Sequence, residues 1–146
     1  MSLQSWLQNS WLVGHQTSAQ EIADPFRISD RDLAASQTEA LPADWRLAIS
    51  YNAALQAATA ALAAAGYRVS RDNHHYRVIQ SLGFTIAPGR RVIDTFDAFR
   101  KKRNLSSYDA ADAIADREAD EMHQLAIHLR AGAEAWIRKT RPDLFE

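Results

Sequence analysis

The stretch LPADWRLAISYNAALQAATAALAAAGYR, residues 41–68, constrains the fold of this chain more than any other. Leu47, Tyr51, Leu55, Ala58, Leu62 and Ala65 recur every three or four residues, the spacing that lines one face of an α-helix. Gly66 is the natural stop, because glycine takes the left-handed conformation that ends helices at no steric cost. The alanines around the stripe contribute little apolar area each, but they let a neighbouring helix approach closely. Such a run predicts a central helix with other helices packed on it.

The rest of the chain supplies those partners. Ser18 and Glu21 have the spacing of a capping box, so a helix begins there. Pro25 removes one backbone bond and predicts a kink or a restart, with Asp30 capping the second part and an end near Leu41. In RDNHHYRVIQSL, Asp72 or Asn73 offers a cap, and Tyr76, Ile79 and Leu82 form the inner face. Gly83, Pro88 and Gly89 break that helix, and the next runs from about Arg90 into RKKRNLSSYD. The last spans about Asp116 to Thr140, with Met122, Leu125, Leu129, Ala133 and Trp136 as its stripe and Pro142 beyond its end. No segment has the sustained alternation of a strand ladder. The expected fold is all-α, an antiparallel up-and-down bundle of four to five helices in one domain over residues 1–146. Residues 1–17 form an N-terminal packing segment. Its Leu3, Trp6, Leu7, Trp11 and Leu12 make too short a run for a stable lone helix, so they close the core or meet a partner.

A chain of 146 residues buries one core and is too short for two. With no cysteine, disulfides, thiolate ligands and a cysteine nucleophile are excluded together. The net charge of -1 gives no whole-molecule attraction to nucleic acid, so such binding needs a local patch. No apolar run approaches the ~20 residues of a spanning helix, and the first residues lack a signal peptide's pattern. The expectation is a cytoplasmic protein with no membrane contact. His74 and His75 are adjacent and His123 and His128 five apart, so neither pair shares a helical face for metal ligation. His74 and His75 read instead as exposed residues of a helix start. Phosphate-loop patterns and a Ser-His-Asp arrangement are also missing, and no cofactor or metal is predicted.

RKKRNLSSYD, residues 100–109, ends a helix in four cations. At about 100° per residue, with Phe96 at the centre of the inner face, Val92, Phe99, Arg103 and Ser107 share that face. Lys101 and Lys102 point outward. An arginine on a core-facing stripe needs a partner, because a buried unpaired charge is strongly unfavourable. Glu118 shares a face with Met122 and Leu125, and in an antiparallel hairpin it would meet Arg103. That pair is one expectation. The other is a binding site of Arg100, Arg103, Asn104, Tyr108 and Asp109 at the bundle end or a dimer seam, where a phosphate or a partner's carboxylate replaces Glu118. A planar guanidinium suits that role, since it can hold two oxygens at once. Residues 90–103 carry net +4 and residues 109–121 net -5, so they screen each other and argue against a broad RNA-binding surface.

Together, YNAALQAATAALAAAGYR, HHYRVIQSL and FRKKRNLSSYD resemble the HEPN domain superfamily (higher eukaryotes and prokaryotes nucleotide-binding), over about Ser18 to Trp136. The resemblance implies an up-and-down helical bundle, usually dimeric. Members of that superfamily include metal-independent ribonuclease toxins and non-catalytic partners of small nucleotidyltransferases. The ribonucleases carry an arginine, often followed by a polar residue, and a histidine four to six residues after the arginine. Arg103 and Asn104 match the first half, but Ser107, Tyr108 and Asp109 stand where the histidine would be. Tyrosine, with a pKa near ~10, is a poor base at neutral pH, where histidine exchanges protons readily. The implied function is a non-catalytic accessory subunit of a toxin–antitoxin or nucleotidyltransferase system. It would be a homodimer, as the tryptophans read as exposed also suggest, with a small nucleotidyltransferase or other protein as its partner. The alternatives are a divergent endoribonuclease with Tyr108 in place of histidine, and a receptor for RNA, a nucleotide or another small ligand.

Overall fold

The computed structural model describes residues 1–71, 73–104 and 114–145. In chain order the elements are α1 (Leu3–Gln8), β1 (Leu12–Gly14), α2 (Ala19–Ala35), α3 (Ala43–Ala64), β2 (Tyr67–Val69), α4 (His74–Ser81), α5 (Arg90–Arg103) and α6 (Asp116–Thr140). Short 3-10 turns cover Leu82–Phe84 and Pro142–Phe145. The fold is all-α, a helical bundle carrying one very short strand pair.

α3 lies at the centre and touches α2, α4, α5 and α6. Its stripe is buried from Leu47 to Leu62, and Ala53, Ala54, Ala57, Ala60, Ala61 and Ala64 are buried as well. A helix covered nearly all round is apolar nearly all round. By length and composition it would also cross a membrane, contrary to expectation, with a mean hydropathy of 1.2 over its most apolar window, but 67% of that window is buried in the bundle.

Consecutive long helices run antiparallel. Ser29 of α2 donates to the Ala53 carbonyl and Asn52 of α3 to Asp32, so the start of α3 returns along the end of α2. Lys102 at the end of α5 meets Glu118 at the start of α6. Around the bundle this alternation makes α3 and α6 parallel. Arg46 in the first turn of α3 reaches Asp116 and Asp120 in the first turns of α6. At the far end, Arg141 just past α6 donates to the Ala64 carbonyl. The two pack along their length because the facing residues are small: Ala57, Ala60 and Ala64 share a core cluster with Ala133.

Several local expectations give way to packing. α2 runs through Pro25 without a break and ends at Ala35 rather than near Leu41. The proline forfeits one backbone bond, which burial of Ile22 and Phe26 on the same face offsets. Asp30 caps nothing and instead accepts two bonds from one edge of the Arg130 guanidinium, from Nε at 2.8 Å and from Nη2 at 3.1 Å, while Nη1 donates to Glu134. Asn73 occupies the cap position of α4 in a left-handed conformation and makes no side-chain cap bond. Tyr76 points outward, and the buried face of α4 is Val78 and Ile79. On α6 the fully buried positions are Ala119, Met122, Ala126, Leu129, Ala133 and Ile137, with Leu125 and Trp136 half-buried.

β1 and β2 pair antiparallel, Leu12 opposite Val69 and Gly14 opposite Tyr67. Three residues per strand are too few for a period to be legible in sequence. Beside this pair Trp6 is buried edge-on against Trp11 and Phe84, so the first two tryptophans serve the core. Trp45, at 60% exposure, is the one that faces solvent.

Candidate functional site

At the C-terminal end of α5 the wheel gives the direction of each side chain but not its height along the bundle. Phe96 and Phe99 are buried as expected. Arg103 lies on nearly the same meridian as Phe96, one and two turns beyond those rings, where the core has ended and its side chain is exposed. Its guanidinium carbon sits 4.9 Å from the centroid of the Tyr51 ring, an attraction between a cation and an aromatic face. The expected pair with Glu118 does not form. Lys102, expected to face water, swings toward α6 and binds Glu118 instead, and Glu118 also accepts the Ala115 N–H at 3.1 Å. The Lys102 ammonium holds the Glu118 carboxyl below its usual range, assisted by that backbone bond.

Arg100 is the most buried cation of the cluster. Its Nε donates to Asp97 at 2.7 Å, and its guanidinium lies over the exposed ring of Tyr76 at 5.4 Å. Lys101 stays in solvent, 3.7 Å from the same aspartate. Asn104 caps the helix and sits 3.5 Å from an Arg103 nitrogen, at the limit of a hydrogen bond. Tyr108 and Asp109 lie outside the described residues, as does Ser107.

Two residues outside the α5 tip complete the site. Tyr51, on the α3 stripe, is fully buried with its ring edge-on to Phe96, and its hydroxyl lies 3.1 Å from Nδ1 of His75. Burial pushes the phenol up to about 12, against the lowering effect of Arg103 and Arg100. Tyr51 therefore keeps its proton, and a buried hydroxyl proton needs an acceptor. Among the described residues that acceptor is His75 Nδ1, which places the imidazole proton on Nε2. His75 itself is held below its usual pKa, first by burial and then by Arg103, His74 and Arg100. At neutral pH it is an uncharged ring whose second nitrogen is a donor.

The expectation of two exposed histidines at this helix start holds for His74 but not for His75, which is half-buried and bonded. Sequence held one signal for it, since His75 precedes Val78 and Ile79 by one helical turn. What the sequence lacked was the knowledge that α4 begins level with Tyr51. The fold brings Arg103 and His75 to one phenol, with Arg100 and its partner Asp97 close enough to act on it through charge, and the two arginines and the histidine each present N–H groups. Such a set can hold an oxyanion. It is poorly suited to general-base chemistry, because the nitrogen that could accept a proton is occupied by Tyr51.

Comparison of the chain with protein-family models, with curated proteins and with solved structures finds no match in any of the three.

Proposed function

We propose that this chain is a HEPN-like helical domain that holds a phosphate of a nucleotide or RNA strand at the α5 tip without cutting it. In that role it acts as an accessory subunit beside a protein partner such as a small nucleotidyltransferase. The observation that carries this reading is the Tyr51–His75 hydrogen bond under Arg103. With the Tyr51 hydroxyl as donor, the remaining imidazole nitrogen carries the proton, so in this reading the histidine adds to the anion-binding set of the two arginines rather than supplying a base. The absence of a histidine at residues 107–109 supports the same conclusion from the sequence.

The test is fluorescence anisotropy with a fluorescein-labelled single-stranded RNA at low salt, with AMP as competitor, followed by a gel of the same RNA after incubation in chelator. Binding is expected, with the RNA left intact. Arg103→Gln should weaken it about tenfold or more, the loss of one charge-assisted hydrogen bond. Equal affinity of wild type and Arg103→Gln would refute the site. Cleavage that disappears in His75→Gln would refute the non-catalytic role and favour the ribonuclease alternative.

A further inference from the structure

A separate cavity of about 510 Å3 opens between the end of α2, the first turn of α3 and the first turns of α6. It is built on a hydrogen-bonded chain. Ser36, 3% exposed, has its hydroxyl oxygen 3.0 Å from the Leu33 carbonyl and 2.7 Å from Nδ1 of His123. A hydroxyl has one proton, and a carbonyl can only accept, so Ser36 donates to Leu33 and receives the Nδ1–H of His123. The remaining nitrogen, Nε2, is left with its lone pair. Its described partner is the Gln37 amide at 3.4 Å, a long contact.

The charged groups around the cavity other than Arg46 are all acceptors. Asp116 and Asp120 each give one oxygen to Arg46, at 2.9 and 3.0 Å, and both carboxylates are otherwise exposed. Glu39 lines the same space, as do the amides of Gln37 and Gln124. Two carboxylates therefore pair with one guanidinium, whose terminal nitrogens are both engaged and whose Nε is buried out of reach, and Glu39 adds a third negative charge to the lining. An anion would meet repulsion there. A ligand rich in N–H donors would find an imidazole lone pair held in place from one side and spare carboxylate oxygens on the other.

We propose that this cavity binds a small organic cation of the guanidinium or alkylammonium class, donating to His123 Nε2 and to the Asp120 carboxylate. Its volume falls in the ordinary range for small-molecule sites, roughly 300–1,000 Å3. The site shares no residue with the phosphate-binding cluster and does not depend on it.

Isothermal titration of the full chain with agmatine tests the proposal, with tetramethylammonium as a cation that has no N–H and acetate as an anion. Agmatine should bind and the other two should not. His123→Phe, which removes the acceptor, and the conservative Asp120→Asn should each weaken agmatine at least fivefold while retaining a wild-type circular dichroism spectrum. Arg103→Gln should leave agmatine affinity unchanged. The proposal is overturned if agmatine does not bind, if tetramethylammonium binds as well as agmatine, or if a folded Asp120→Asn matches wild type. A blocked arginine peptide that binds more than tenfold tighter than agmatine also overturns it, in favour of a partner's side chain.

Discussion

Replacing Lys102 and Glu118, singly and together, tests how the α5 tip is held. The two side chains are 36% and 19% exposed, so their attraction is only partly screened. For such a pair a coupling of about 0.5–1 kcal/mol is expected. Glu118 also accepts the Ala115 N–H that opens α6, a first-turn contact that contributes about 0.5–1 kcal/mol more. Glu118→Ala should then cost ~1–2 kcal/mol and Lys102→Ala ~0.5–1 kcal/mol. An unfolding entropy of ~2.1 cal/mol/K per residue gives ~0.3 kcal/mol/K for a chain of this length, so each kcal/mol lowers Tm by ~3 °C. Urea and thermal melts of the four proteins complete the cycle, and the double variant should lose less than the sum of the singles by the coupling energy. Arg103→Ala should cost no more than ~1 kcal/mol, the loss of its contact with Tyr51, and should be additive with Glu118→Ala. Additivity for Lys102 with Glu118, together with coupling for Arg103 with Glu118, would refute this account of the tip.

Tyr51→Phe frees Nδ1 of His75 to take a proton, so the histidine should titrate at a higher pH than in wild type, as read from imidazole proton NMR. His75 and His123 both have folded pKa values below the ordinary 6.5. The unfolded chain therefore takes up protons first, and stability should be full above about pH 6.5 and fall as pH drops from there through the folded values; urea midpoints across that range check the sign. Ala57→Leu enlarges a fully buried position on α3 in the cluster shared with Ile22 and Ile137, and should cost ~1–3 kcal/mol in the same melts. For the proposed homodimer, light scattering at micromolar concentration should give twice the 16.4 kDa chain mass, and a monomer mass would count against it.

The long helices were legible because each repeats its apolar residues over enough turns to fix a period. α6 lies at Asp116–Thr140, the span its stripe predicts, and α3 stops just before Gly66, whose φ of 96° suits glycine alone. Pro25 misled because its local cost was visible and the burial of Ile22 and Phe26 that offsets it was not. The same limit governs the site. A wheel places Arg103 and Phe96 on one meridian correctly, but which cation reaches Glu118 depends on where the core ends and on how α5 lies against α6. His75 and Ser36 gained their roles from helices more than twenty residues away in sequence, and nothing in their local spacing encodes those distances.

The pairing of β1 with β2 ties Leu12 to Val69 across the whole of α2 and α3. Closing a loop of that length is entropically costly, and three-residue strands return few hydrogen bonds for it. The clamp should therefore form only after the helices have docked, and it should open before they unfold. Its amides would exchange with solvent through that local opening, whereas those of α3 and α6 would wait for global unfolding. Because Trp6 and Leu62 share a core cluster beneath it, each opening would bare an apolar surface at the end of the central helix. The N-terminal segment would in this sense act as a detachable cover, and the bundle's exposure to proteases and to self-association would depend on how often it lifts.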